Sequence, residues 1–179
     1  MISGNAKDSF DRIFRKAAQA RLPMNGADTC EIVPLDEAGL GATKDTQVVV
    51  LTISSIVFRM LLILHFDETD NTRNYYLKEA NEQPFQEVFL EICNLCSGAM
   101  NQELLRYFPD LGMSTPYVLS ARCLPHLREL KPAFLSSYSV TLNGSVQLAA
   151  TVCVCAHAPI DFVADTSVVE ETSGELELF

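Results

Sequence analysis

Five residues recur along one stretch of the chain at spacings that a helix would align: Glu87, Glu91, Asn94, Gly98 and Asn101. On a helix turning about 100° per residue, with Glu87 at 0°, Glu91 falls at about +40°, Asn94 at −20°, Gly98 at +20° and Asn101 at −40°. Phe89, Ile92, Cys96, Ala99 and Met100 fall between about 120° and 220°, on the opposite side. One face is therefore apolar, and the other carries two carboxylates, two amides and a glycine in a narrow line. No lysine or arginine stands four residues from either carboxylate, so no such pair answers these charges along the helix. Gly98 costs about 1 kcal/mol of helix propensity, which makes sense where another surface must come close. The stripe has two readings. It is a solvated helix face of the ordinary kind, or a contact surface whose acids seek a basic partner and whose amide positions something.

Other chemistry-bearing groups form weaker constellations. Cys93-x2-Cys96 and Cys153-x-Cys155 could together supply four thiolates for zinc, which opens a third class, a metal-binding or redox-regulated structural protein. Cys93 and Cys96 fall on the apolar face, however, where cysteine behaves as a small core residue, and no metal site is expected. His65, His126 and His157 are scattered. No serine sits in a Gly-x-Ser-x-Gly elbow, and no phosphate-binding glycine-rich loop is present, so neither a Ser/His/Asp hydrolase nor a nucleotide enzyme finds support. Cys123 follows Arg122 and is the only thiol with a positive neighbour, a poor nucleophile candidate.

The elements that would position the stripe follow from periodicity. Residues 85–107 form the long helix, with Pro84 where a first turn tolerates it. Residues 7–21 carry Phe10, Ile13, Phe14 and Ala17 at helical spacing and read as an amphipathic helix packed on a sheet. A short strand is expected at 30–34, and a turn-like segment with Gly39 and Gly41 at 36–45. The apolar run 46–66 is too long for one strand and splits at Ser54–Ser55 into two, as a hairpin or meander. An acidic turn at 67–74 and a short helix at 75–80 precede Pro84. Beyond the long helix, 113–120, 133–142 and 145–155 read as strands. The last two are joined by Asn143-Gly144, the strongest short-range hairpin signal. This is an α/β (α+β) pattern: a mostly antiparallel sheet packed against one long helix and shorter ones.

The chain has 179 residues, suited to one domain, with 48% apolar and 20% charged side chains, enough for a packed core. Thirteen basic against 23 acidic residues give a formal charge of −10, which argues against nucleic acid as the main partner. Residues 156–179 hold six of the acids and no lysine or arginine, so the division expected is a domain over 1–164 and an acidic, disordered tail over 165–179. Six cysteines with no secretory signal in the first 25 residues read as reduced thiols in the cytoplasm. Arg59 lies inside the apolar run 48–66, and a mid-bilayer arginine costs roughly 2.5–3.5 kcal/mol. No membrane partner is expected.

The segment Glu91-Ile-Cys-Asn94-x3-Gly98, followed by Pro116 entering a strand, resembles the signature of the CheC/CheX/FliY family of chemotaxis phosphatases. That family carries Glu-x2-Asn on a long helix with a proline beyond it; here 21 residues intervene between Asn94 and Pro116. The order of elements over roughly residues 7–158 also resembles the CheX arrangement. Glu68-x2-Asn71 repeats the pair in an expected turn, with no proline at the right distance. One copy of the motif therefore counts, which resembles the single-site CheX members more than the two-site ones. The family usually has Asp or Ser four residues before the glutamate, where this chain has Glu87.

The resemblance implies hydrolysis of the aspartyl phosphate of a CheY-like response regulator. In that scheme Asn94 is the amide that orients the attacking water and Glu91 pairs with a lysine of the regulator. Glu87, Gly98 and Asn101 belong to the partner-binding surface, Glu87 adding to the clamp and Gly98 giving clearance. Mg2+ and the phosphorylated carboxylate come from the regulator, so the chain needs no cofactor of its own. The family also suggests homodimers through sheet contacts. The alternative is a non-catalytic docking module of the same fold for a receiver domain or a flagellar-switch component.

Overall fold

The computed structural model describes residues 1–35, 47–66, 68–77 and 84–166. Among these, the elements run α1 (Gly4–Arg21), β1 (Cys30–Leu35), β2 (Gln47–Ser54), β3 (Phe58–Phe66), α2 (Asp70–Tyr76) and α3 (Phe85–Leu105). There follow β4 (Gly112–Met113), β5 (Tyr117–Ser120), a 3-10 segment (Ala121–Leu130), β6 (Phe134–Leu142) and β7 (Val146–Ala156). The strands form one antiparallel sheet in the order β1-β6-β7-β3-β2-β4, with β5 also pairing β2.

Turn chemistry explains the two hairpins. Asn143 and Gly144 both have positive φ, 49° and 65°, the mirror-image turn whose twist matches the flanking strands β6 and β7. The run 46–66 breaks where expected. Ser55 Oγ accepts from the backbone N–H of Val57 (3.0 Å) and Phe58 (3.2 Å), turning the chain so that Ser54 pairs Arg59. That run is therefore a hairpin, and no helix among the described residues is long and apolar enough to cross a membrane.

The helices cover one face of the sheet. Ser3 Oγ caps α1 by accepting from Ala6 N–H (3.0 Å), and Phe10, Ile13, Phe14 and Ala17 are all buried, as their spacing predicts. Phe10 meets Phe58 edge-on at 5.5 Å, and Phe14 stacks on Tyr138 at 4.5 Å. On the other face, Val48, Val50, Ile63 and Cys153 pack under Leu127 of the 3-10 segment, with Leu124 beside it. Burying an aliphatic or aromatic side chain of this size contributes about 1.5–3 kcal/mol, so both layers add to the stability of the platform.

Three expectations are corrected. A short helix runs over Asp70–Tyr76, where a turn was expected at 67–74, because Thr69 caps it, its Oγ1 accepting from Thr72 N–H (3.3 Å); of the helix expected at 75–80, residues 78–80 lie outside the described residues. The strand expected over 113–120 is two pieces. Between them Ser114 turns inward, its Oγ accepting from Thr52 N–H (2.9 Å), and Pro116, which has no N–H to give a ladder, stands just before β5. Residues Ala121–Leu130, where the sequence predicts no element, form the 3-10 segment, opened by Ser120 Oγ accepting from Arg122 N–H.

The described chain continues past the last strand as a strap. Ile160 bridges Ile2, the Phe162 ring lies 5.3 Å from Phe10, and Asp165 N–H donates to Tyr107 Oη (2.8 Å). The turn-like segment expected at 36–45 and nearly all of the acidic tail, residues 167–179, lie outside the described residues.

Candidate functional site

Helix α3 is held on its apolar side by a cluster of rings. Phe89 lies 4.6 Å from Phe66 and 5.8 Å from Tyr76, and Phe85 stacks on Phe89 at 5.7 Å. Ile92, Cys93, Cys96, Met100 and Leu104 continue the buried face along the helix. Along its flank α1 is tied by Lys16 Nζ to Glu103 Oε1 at 2.6 Å. Residues 19–21 of α1 lie across a groove from Glu91 and Leu95, so the two helices run antiparallel. The helix is thus a rigid rail with one side left over.

The five sequence-predicted residues occupy that leftover side. Glu87 and Glu91 are exposed, and Asn94, Gly98 and Asn101 are half-buried. Neither Glu87 nor Glu91 makes an ion pair among the described residues, and Asn94 makes no hydrogen bond among them. The three central members differ from the two flanking ones. Glu87 lies in the first turn of α3, after the uncapped Pro84, where an acid interacts favourably with the helix dipole. Its charge has a local use; those of Glu91 and Asn94's amide dipole do not. At the other end, Asn101 Oδ1 is sealed from solvent with no hydrogen-bond partner among the described residues, as is Ser97 Oγ one turn earlier. Asn101 therefore turns its acceptor inward and has only its amide N–H groups to offer a partner.

Gly98 has open space beside it. A Cβ built there meets no atom within 4 Å among the described residues outside the adjacent helix backbone, so no contact among them requires a glycine in mid-helix. No contact among the described residues offsets its propensity penalty of about 1 kcal/mol.

Beside the stripe runs a groove of about 590 Å3 between the end of α1, residues 22–28 and α3. Its wall is braced. Asp28 accepts from Tyr75 Oη (2.6 Å) and from Asn143 Nδ2 (2.8 Å), Tyr75 Oη accepts from Met24 N–H (2.9 Å), and Tyr76 Oη donates to Leu22 O (3.0 Å). The hydrogen bonds from Asn143 and then Tyr75 hold the Asp28 carboxyl below its usual range, while burial, with Asp28 beside it, pushes the Tyr75 phenol up to about 12. Periodicity could not find the groove, because it joins segments distant in sequence. One signal existed: Leu95, at about +80° on the same wheel, is apolar on the stripe's shoulder.

The thiols do not converge. Cys93 and Cys96 are in the helix-side core, whereas Cys153 is in the cluster on the far side of the sheet, so the sheet separates the two pairs. Among the described residues no three His, Cys, Asp or Glu side chains are grouped to hold a metal. Burial raises the Cys96 thiol to about 12 and the Cys93 thiol well above its usual value. Burial also raises Cys123, the reverse of what a nucleophile needs.

No family model and no curated protein matches the sequence. Solved structures do match the fold. CheX from Vibrio vulnificus superposes with a TM-score of 0.56 over 81% of this chain and 98% of that one, at 14% identity. The chain has the CheX-like fold. CheX from Borrelia burgdorferi, solved in complex with CheY, BeF3 and Mg2+, gives 0.56 over 82% of this chain and 96% of that one, at 10% identity. The FliM middle domain from Vibrio alginolyticus gives 0.53 over 81% and 90%, at 7% identity. CheX and FliM share this scaffold, so the CheX-like fold by itself does not choose a chemistry; the side chains on α3 must.

Proposed function

We propose that this chain is a CheX-like phosphatase that hydrolyses the aspartyl phosphate of a CheY-like response regulator. The observation that carries the reading is Gly98, with open space beside it, next to a carboxylate without an ion pair and a carboxamide without a hydrogen bond among the described residues, on a braced helix. The complex of the Borrelia CheX with CheY supports a receiver as the partner.

The chemistry asks little of the protein. Water attacks phosphorus as the bond to the aspartyl oxygen breaks, giving a free carboxylate and inorganic phosphate. The nucleophile must lie opposite the leaving oxygen, and charge on the phosphoryl oxygens must be neutralised. Asn94 Oδ1 accepts a hydrogen bond from the water and fixes its line of approach, without itself being consumed. Glu91 pairs with a lysine of the regulator and registers the two surfaces by charge. Glu87 adds to the same acidic edge, and Gly98 lets the receiver's loops come near the helix backbone. The divalent ion that neutralises the phosphoryl oxygens belongs to the receiver.

The second reading, a docking module that binds a receiver or a flagellar-switch component without hydrolysis, is favoured by two observations. FliM shares the fold, and Glu87 stands where the phosphatase signature usually has Asp or Ser. The two part on one assay. A labelled phosphoreceiver loses its phosphate faster with the wild-type chain if the phosphatase reading holds. Binding of the beryllofluoride-loaded receiver with no change in that decay selects the docking module.

A further inference from the structure

We infer that the groove between the end of α1, residues 22–28 and α3 seats an apolar side chain of the receiver, one carried beside the basic group that Glu91 pairs, and so selects which receiver is accepted. The inference rests on the reading of Glu91 given above. Glu91 belongs to both features: it stands on the polar stripe and it lines the groove. The floor beyond it is apolar, from Val88 and Ile92, which are buried. Above that floor Leu95 is 47% exposed and Met24 37% exposed, two large apolar side chains turned into one concavity.

Two acids, Asp28 and Glu91, and one base, Arg21, line the groove. Asp28 accepts from Tyr75, Asn143 and the backbone N–H of Asn25 (3.1 Å), which hold its carboxylate against the wall. Arg21 lines the same space, yet no ion pair joins it to Glu91. What remains is a groove of mixed lining whose apolar part is Leu95, Met24, Val88 and Ile92, with Glu91, unpaired among the described residues, at its stripe-side edge. That suits a segment presenting an ammonium next to an apolar residue: the stem and its neighbour cover Leu95 and Met24 while the charge reaches Glu91. The wall is preformed. The loop that carries Met24 is pinned by Tyr75 and Tyr76 before any partner arrives, so little ordering is required on docking.

The test replaces the two exposed apolar residues by polar ones of similar length, Leu95→Gln and Met24→Gln. Ile56→Gln serves as a control, since Ile56 is 83% exposed on a hairpin tip away from the groove. The probe is a receiver domain loaded with beryllofluoride and Mg2+, with dissociation constants from titration calorimetry, together with kcat and KM on the phosphorylated receiver. Each groove variant should weaken binding and raise KM about tenfold, equivalent to 1.4 kcal/mol. Their kcat should stay within about twofold of wild type. Ile56→Gln should change nothing. If Glu91→Gln weakens binding but both groove variants bind like wild type, the groove inference is overturned and the reading of the stripe stands. If the wild-type chain binds no loaded receiver, the reading beneath it has failed. A self-association of this chain that Leu95→Gln abolishes would assign the groove to a second copy, and that too overturns the inference.

Discussion

Adding one methyl group at Gly98 should push stability and activity in opposite directions. The glycine sits mid-way along α3, and an alanine Cβ there meets nothing within 4 Å. No contact among the described residues is disturbed, so the helix gains the full propensity difference, about 0.8–1.0 kcal/mol. For a chain of this length that raises Tm by about 2–4 °C. The receiver faces the opposite balance. If its active-site loops approach the backbone at Gly98, a Cβ intrudes into a packed contact, and overpacking of that kind costs about 1–3 kcal/mol. At 1.4 kcal/mol per decade, kcat/KM toward phosphoreceiver should fall roughly 5- to 150-fold. Thermal melting and single-turnover phosphoreceiver decay measure the two sides. A lower Tm would mean that the glycine serves this chain's own packing. A raised Tm with unchanged decay would mean that no surface comes close to the helix there. Either result refutes the reasoning.

Other perturbations separate local from functional roles. Glu87→Gln should cost about 0.3–1 kcal/mol in urea denaturation through loss of its helix-dipole interaction, with a small rise in KM; unchanged stability would remove the local role. His65 is buried, its Nε2 3.1 Å from Thr151 Oγ1, and burial lowers its pKa from 6.5 to about 4. Because the unfolded chain takes up that proton more readily, this contribution is complete above pH 6.5 and is lost as pH falls toward 4, by roughly 3 kcal/mol in all. His65→Asn should flatten that part of the profile, and parallel profiles for the two proteins would argue against it. Cys93 and Cys96, with thiols raised by burial, should resist alkylation at neutral pH until the protein unfolds. Mass spectrometry of the native protein after iodoacetamide reads this directly, and modification of either residue at the rate of a free thiol would contradict it.

What the sequence revealed was whatever depends on neighbours in the chain. Asn143-Gly144 dictates its own hairpin, because both residues accept positive φ. Phe10, Ile13, Phe14 and Ala17 declare the buried face of α1, and the α3 wheel separates polar from apolar sides correctly. The failures come where tertiary contacts overrule periodicity. Tyr75 and Tyr76 suggested a helix that starts with them; it ends with them instead, since Thr69 supplies the cap. The 3-10 segment has an amphipathic rhythm, but Pro125 inside it argues against a helix, and it is held by Leu127 against the sheet. The placement of Glu91, Asn94 and Gly98 on the side of α3 away from the core was legible in their spacing. The depth of the candidate site was not: that Asn101 turns its oxygen inward, and that Leu95 and Met24 share a braced groove, follow only from how α1 and its following loop meet α3.

The central claim concerns one carboxamide, and Asn94→Ala tests it most directly, assayed with phosphorylated receiver for turnover and with beryllofluoride-loaded receiver for binding. If Asn94 orients the attacking water, accelerated hydrolysis disappears, a loss on the order of 100-fold or more in kcat, while the dissociation constant stays within about threefold of wild type. Retention of wild-type turnover by Asn94→Ala would contradict the account.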